Sequence, residues 1–251
     1  MSIPESANLM TGALLNATGI VAGGMVGALR QKPLSPVQED WLQKVLGAFT
    51  TVYGLRLVWI SLSGPFGHVM RGLGVLLLSL IVGRLLGKLF RIQEFSNGLG
   101  QNAKRMMEEA AAGRRSPGDG FKVCTALFCA APLGIVGAVI DGLSHYYAPL
   151  AVKAVMDGLA VMGFIRLFGP GVTISALPVL ALQGSIALLC ALTLKPFLEA
   201  HGVVEAVIAV SGVIIFSVAL VLFKLKRVAL ADYLPALVVA PVLAWWINPS
   251  R

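Results

Sequence analysis

The chain has 251 residues, 57 % of them hydrophobic and 13 % charged, with a formal net charge of +8 and a mean hydropathy of +0.84. Soluble domains carry roughly a quarter charged residues, so this composition excludes a water-soluble globular fold and indicates an integral membrane protein. The positive charge does not suggest nucleic-acid binding, because most Lys and Arg lie in a few short segments flanking apolar runs, where they set membrane orientation.

A membrane-spanning helix needs about 20 mostly apolar residues. Eight stretches qualify: 10–29, 42–62, 71–90, 122–142, 150–168, 174–194, 203–223 and 231–247. The second contains Arg56 and the eighth is short, which leaves seven as the alternative count. The first residues, Met1 to Asn8, hold no basic stretch ahead of the first apolar run, so a cleaved signal peptide is not expected. The first span carries Asn16 and a stripe of Gly19, Gly23 and Gly27; the third carries Gly83 and Gly87. Small residues four apart let helix backbones approach closely in lipid, within one chain or across a homodimer.

Residues 91–121 are the one long polar stretch, ending in the breaker run 113–120. Within it, 101–112 mixes Lys104 and Arg105 with Met106, Met107 and two glutamates. That pattern suits a helix lying at the membrane surface, drawn to anionic lipid headgroups.

The fourth span contains Cys124, Cys129 and Pro132, which offers a backbone break, and closes on Asp141; His145, Tyr146 and Tyr147 follow in a short loop. The fifth holds Lys153 and Asp157, four residues apart on one helical face, before a break at Gly169-Pro170-Gly171. The sixth holds Gln183 and Gly184, one turn after Pro178, which suggests locally irregular backbone there. The cysteines have no metal-ligand spacing and read as small core residues. Trp245 and Trp246 lie where interfacial aromatics anchor a helix end.

Ionisable groups in apolar spans cost a few kcal/mol or more and generally face a cavity or a partner. Lys153 and Asp157 can neutralise one another at this spacing, or form a cation or proton site in which the lysine competes with a substrate for the carboxylate. Asn16 and Gln183 are candidates either for interhelix hydrogen bonds or for the same site. Asp141 is a candidate for capping or for the mouth of a path. The candidate substrate- or ion-binding residues are therefore Asp157, Lys153, Gln183, Asn16 and Asp141. His68, His145 and His201 fall in separate loops, and there is no metalloprotease, Walker or dinucleotide-binding pattern. Neither an enzyme, a metal site nor a cofactor is expected.

The chain also suggests an internal repeat. Gly19–Gly27 answers Gly134–Gly142, Val45–Leu57 answers Val155–Leu167, and Val82-Gly83-Arg84 answers Gln183-Gly184-Ser185. Three helices per copy would start the second copy on the opposite side of the membrane, as in inverted-repeat transporters. With the N-terminus outside and eight crossings, 15 of the 20 Lys and Arg fall inside. The organisation expected is an all-α polytopic protein: residues 10–90 as a first three-helix repeat, 91–121 as a basic cytoplasmic linker, 122–195 as the second repeat and 203–247 as two extra helices.

Four segments carry a family likeness: 11–17 around Asn16, 125–142 ending in Asp141-Gly142, Lys153–Gly158, and 175–184 ending in Gln183-Gly184. Together they resemble the prokaryotic DUF554 membrane proteins over about residues 10 to 225. The family has two adjacent acids after the third span, where this chain keeps only Glu94. The resemblance implies a bacterial inner-membrane location and an architecture, and brings no substrate with it. The expected function is a small-solute or ion transporter working within the lipid bilayer, without nucleic acid. The alternative is a non-transporting scaffold or sensor that acts through its basic loop.

Overall fold

In hydrocarbon a backbone can satisfy its polar groups within one segment only as a helix. The computed structural model describes residues 9–30, 34–114, 116 and 118–247, and contains helices and turns with no strand among them. Lys32, Arg115 and Arg251 of the charge count lie outside the described residues, as does segment 1–8.

The helices in chain order are α1 (Thr11–Leu29), α2 (Pro36–Ser61), α3 (Phe66–Leu89), α4 (Ile92–Ala111), α5 (Asp119–Ala130), α6 (Pro132–Ser144), α7 (Ala148–Phe168), α8 (Ala176–Leu189), α9 (Lys195–Ala200), α10 (Val204–Leu222) and α11 (Ala236–Ile247). Short 3-10 turns, Pro170–Ser175 and Leu230–Tyr233, lead into α8 and α11, and a π-turn, Cys190–Leu194, joins α8 to α9. Among the described residues, six helical stretches are long and apolar enough to cross a membrane: α1, α3, α7, Pro170–Ala200, α10 and Leu230–Ile247. The bent pair α5 and α6 makes a seventh if taken as one span. The second expected span, 42–62, falls in α2, whose Glu39, Asp40, Lys44 and Arg56 lower its apolarity.

Large apolar side chains face outward on several helices. Trp59, Leu85, Leu177, Leu192 and Val238 are all more than half exposed, which suits lipid rather than water. Inside, close helix crossings at glycine set the order of packing. α1 runs parallel to α7, with Gly19 against Ala154, Gly23 against Gly158 and Gly27 against Met162. α2 runs antiparallel to α10, with Gly54 against Gly212 and Phe216. α3 runs antiparallel to α11, with Gly83 against Ala236 and Gly87 against Asp232. α6 and α8 run parallel, with Gly134 facing Gln183 and Gly142 facing Ala187. The start of α1 and the end of α11 therefore lie at one face. The basic ends of α1, α3 and α10 lie at the other, where Asp40 of α2 pairs with Lys44 at 2.7 Å and with Lys224 at 2.9 Å. These two ammonium groups pull the exposed Asp40 carboxyl down to about 2.

The polar linker forms α4, longer than the 101–112 helix expected of it, with Ala103 and Ala110 on its buried side. It docks through Gln93, whose backbone N–H donates to Asp232 at 3.0 Å while its side-chain oxygen accepts from the Ala231 N–H at 3.1 Å. The internal repeat would make α2 the counterpart of α7, but α7 has α1 as its principal partner and α2 has α10.

A Cβ on Gly54 would lie 2.6 Å from the Phe216 nitrogen, whereas one on Gly74 meets nothing within 4 Å. Gly54→Leu should therefore cost about 1–3 kcal/mol through overpacking, lowering Tm by roughly 3 °C or more in detergent. Gly74→Ala should leave Tm unchanged or slightly higher. Equal effects of the two substitutions in a thermal melt would contradict the close α2–α10 crossing.

Candidate functional site

Pro132 sets up the site. It has no N–H, its ring cannot sit against the carbonyl one turn back, and it pushes the preceding residue into extended backbone. Ala131 accordingly has φ −66° and ψ 121°, and α5 and α6 meet at a 57° bend. The break falls midway along the paired segment, so the carbonyl end of α5 and the amide end of α6 open inside the protein. Those ends carry partial negative and partial positive charge respectively.

Four further groups converge on this break. Lys153 and Asp157 project from α7, Asn16 from α1 and Gln183 from α8. The Lys153 ammonium donates to Asp157 Oδ2 at 2.5 Å and lies 5.6 Å from the centre of the Phe128 ring, in the last turn of α5. Asn16 Nδ2 donates to Gln183 Oε1 at 3.0 Å, and the Asn16 amide also faces the Asp157 carboxylate. Gly134, in the first turn of α6, leaves room for both neighbours: a Cβ there would sit 2.7 Å from Lys153 Cε and 2.8 Å from Gln183 Nε2. Asn16 is 0 %, Gln183 1 %, Lys153 2 % and Asp157 6 % exposed, so the cluster is sealed within the bundle. Asn16 Oδ1 and Gln183 Nε2, one acceptor and one donor, have no hydrogen-bond partner among the described residues.

Asp141 has a different place. It lies seven residues beyond Gly134 on α6, about 10 Å along the axis, and its Oδ2 accepts the Gly12 N–H at 2.8 Å. It caps the start of α1, a carboxylate at the positive end of another helix. Its Oδ1 is unpartnered. The Arg56 guanidinium stacks 5.6 Å from the centre of the Tyr146 ring, which gives a charge in an apolar helix a cation–π partner.

The structure brings together four of the five sequence candidates and sets Asp141 two turns away. Phe128 and Gly134 joined the site without having been singled out. Cys124 and Cys129 lie close enough to Asp157 for its charge to reach them. The break falls at Pro132, one of the positions at which the sequence offers an interruption of the helix. The irregular backbone expected at Gln183 lies elsewhere: α8 is regular from Ala176 to Leu189, and the π-turn follows at Cys190–Leu194, just ahead of Pro196. Pro178 is the third residue of α8, where a missing N–H breaks no internal bond.

A bundle of apolar helices with a buried charge pair at a helix break defines a polytopic α-helical membrane protein with a polar centre. The chain belongs to the DUF554 family, described as a protein of unknown function, which it matches over residues 11–245. It is similar to the uncharacterized membrane protein YdfK of Bacillus subtilis (strain 168), 25 % identical over 240 residues, covering 95 % of this chain and 97 % of that protein. It is also similar to the uncharacterized protein YqgA of Escherichia coli (strain K12), 24 % identical over 244 residues, covering 95 % and 98 %. No solved structure matches it.

Removing one partner of a buried ion pair leaves an uncompensated charge and costs about 3–5 kcal/mol, whereas replacing both with apolar groups is often neutral. Asp157→Leu should therefore destabilise strongly, and the Lys153→Met/Asp157→Leu double variant should recover most of the loss. Additive losses in detergent melts would show that the two side chains do not act as a pair. At the other position, Asp141→Ala should cost about 1–2 kcal/mol through loss of the cap. Asp141→Asn, which keeps an acceptor for Gly12, should retain most of that stability in the same melts.

Proposed function

We propose that the chain is a non-enzymatic carrier of a small solute or ion in the bacterial inner membrane, and that the Lys153–Asp157 cluster is its binding site in a closed state. The observation that carries this reading is a buried charge pair at the break of a membrane helix, with an unpartnered donor and an unpartnered acceptor beside it. A buried ion pair adds little net stability, because desolvating two ions offsets their attraction. Polar groups held at membrane depth mark substrate or ion pathways, and discontinuous helices whose ends face the site recur in transporters. In this reading Lys153 serves as an internal cation that a substrate or proton displaces from Asp157.

The helix directions support a topology. Parallel α1 and α7 require an odd number of crossings between them, which α2, α3 and the α5–α6 pair supply. With α2 included the chain crosses eight times, and with the basic face inside both termini lie outside. Three-plus-three inverted repeats with two added helices fit this count.

A second reading, a scaffold or sensor, draws on α4. Lys104 and Arg105 expose 79 % and 69 % of their side chains on a helix tethered to the start of α11.

The test is electrogenic or tracer uptake into proteoliposomes across a panel of ions, amino acids and small organic acids at about pH 5 to 8. The expected outcome is uptake of one solute class, responsive to pH and at least tenfold lower in Asp157→Asn. Uptake by a well-folded Asp157→Asn at the wild-type rate would remove Asp157 from the path. No uptake by the wild type, together with a phenotype confined to Lys104→Glu/Arg105→Glu, would favour the second reading.

A further inference from the structure

We propose that the site takes a zwitterionic amino acid. Its carboxylate would be held by Gln183 Nε2, Lys153 and the first turn of α6, and its ammonium by Asp157 and Asn16 Oδ1. This inference rests on the carrier reading and names its substrate class.

Three features of the site point to both charges at once. Gln183 Nε2 is an unpartnered donor on a side chain that is 1 % exposed, and it points at the opening turn of α6, 2.8 Å from where a Gly134 Cβ would stand. In the first turn of α6, Pro132 has no N–H and the Gly134 N–H donates to the Ala131 oxygen at 2.9 Å, which leaves the Leu133 N–H and the positive helix end to attract negative charge. Together with the Lys153 ammonium, whose Cε packs at the same glycine, they form a carboxylate pocket on one side. On the other side, Asn16 Oδ1 is an unpartnered acceptor on a side chain that is 0 % exposed, while the N–H group of the same amide faces the Asp157 carboxylate. An amide oxygen and a carboxylate together suit an ammonium group, and neither suits an anion.

Charge balance discriminates further. Lys153 and Asp157 together are neutral. A bare cation or a bare anion would leave a net charge in a sealed, low-dielectric interior, at a desolvation cost of several kcal/mol. A zwitterion adds one charge of each sign and leaves the balance unchanged. It can enter because the lysine stem is flexible and can swing its ammonium away from Asp157 and onto a carboxylate. The salt bridge thus acts as a stand-in for the substrate: each member of the pair holds the other until a ligand carrying both charges replaces the contact.

The experiment uses the full chain purified in detergent, with thermal shift followed by calorimetric titration. The twenty proteinogenic amino acids are screened beside ethylamine and propanediamine (amine only), acetate and propionate (acid only), and sodium and potassium chloride. The expected result is that one amino acid or a chemically related group raises Tm. Its decarboxylated amine and its deaminated acid should each bind at least roughly tenfold more weakly, as expected when a charge-assisted hydrogen bond is lost. Gln183→Met should weaken the amino acid about tenfold and the matching amine by less, because only the amino acid loses a carboxylate contact as well as the Gln183 support of Asn16. This comparison holds whether or not Asp157→Asn folds. Binding of an inorganic cation or a simple amine with no amino-acid preference would overturn the zwitterion and leave the carrier standing. Equal weakening of amine and amino acid by Gln183→Met would overturn the carboxylate pocket. No shift with any solute in a well-folded protein would overturn both readings.

Discussion

The parallel crossing of α1 on α7 is the contact on which the centre of this protein depends. Without side chains at Gly19, Gly23 and Gly158 the two backbones meet directly, and any Cβ at Gly23 would overlap the Gly158 backbone. That approach fixes the axial register, and with it Asn16 comes to rest one turn before the crossing, against Asp157. In lipid there is no hydrophobic force to push helices together, so small residues and the contacts they permit carry much of the association. The glycine stripe and the polar cluster are in this sense one device: the first sets the distance at which the second can form.

The break at Pro132 supplies what side chains alone cannot. A continuous fourth span would have kept its carbonyls and amides bonded to one another and presented only apolar groups to Lys153. Bent at its middle, it faces the lysine with the negative end of α5 and faces Gln183 with the positive end of α6. The charges of Lys153 and Asp157 are then tolerable at mid-membrane because each has an opposite charge, and the lysine also has the Phe128 ring and a helix end. The cluster remains incompletely satisfied, with one free donor and one free acceptor among groups that otherwise have no access to water. In a structural core such atoms cost on the order of 1–3 kcal/mol each. The binding site proposed above, sealed in its closed state, would account for them.

Much of the fold was legible in the sequence because the membrane imposes simple rules. Apolar runs of about 20 residues had to be helices. Glycines at spacing four marked crossings, and the polar stretch 91–121 had to leave the bilayer. The second span was harder to read, since Arg56 breaks its apolar run. That arginine is accommodated by the Tyr146 ring, a partner 90 residues away that no local pattern shows. The docking of α4 was equally hidden, because it depends on Gln93 meeting Asp232 across 139 positions. Within the site, Lys153 and Asp157 were readable as a pair because four residues on a helix return to the same face.

The sequence by itself determined that this is a helical membrane protein, where its apolar helices lie, and which few polar residues must be reckoned with inside them. Those follow from composition and local spacing, which are properties of the chain alone. Only the tertiary structure decided how the polar residues were divided. It brought Asn16 to Gln183 across 167 positions, and both to the Lys153–Asp157 pair. It sent Asp141 across 129 positions to cap the start of α1. The physical reason is that a buried side chain's partner is set by how the helices cross and in which register, and those depend on backbone contacts between segments far apart in the chain.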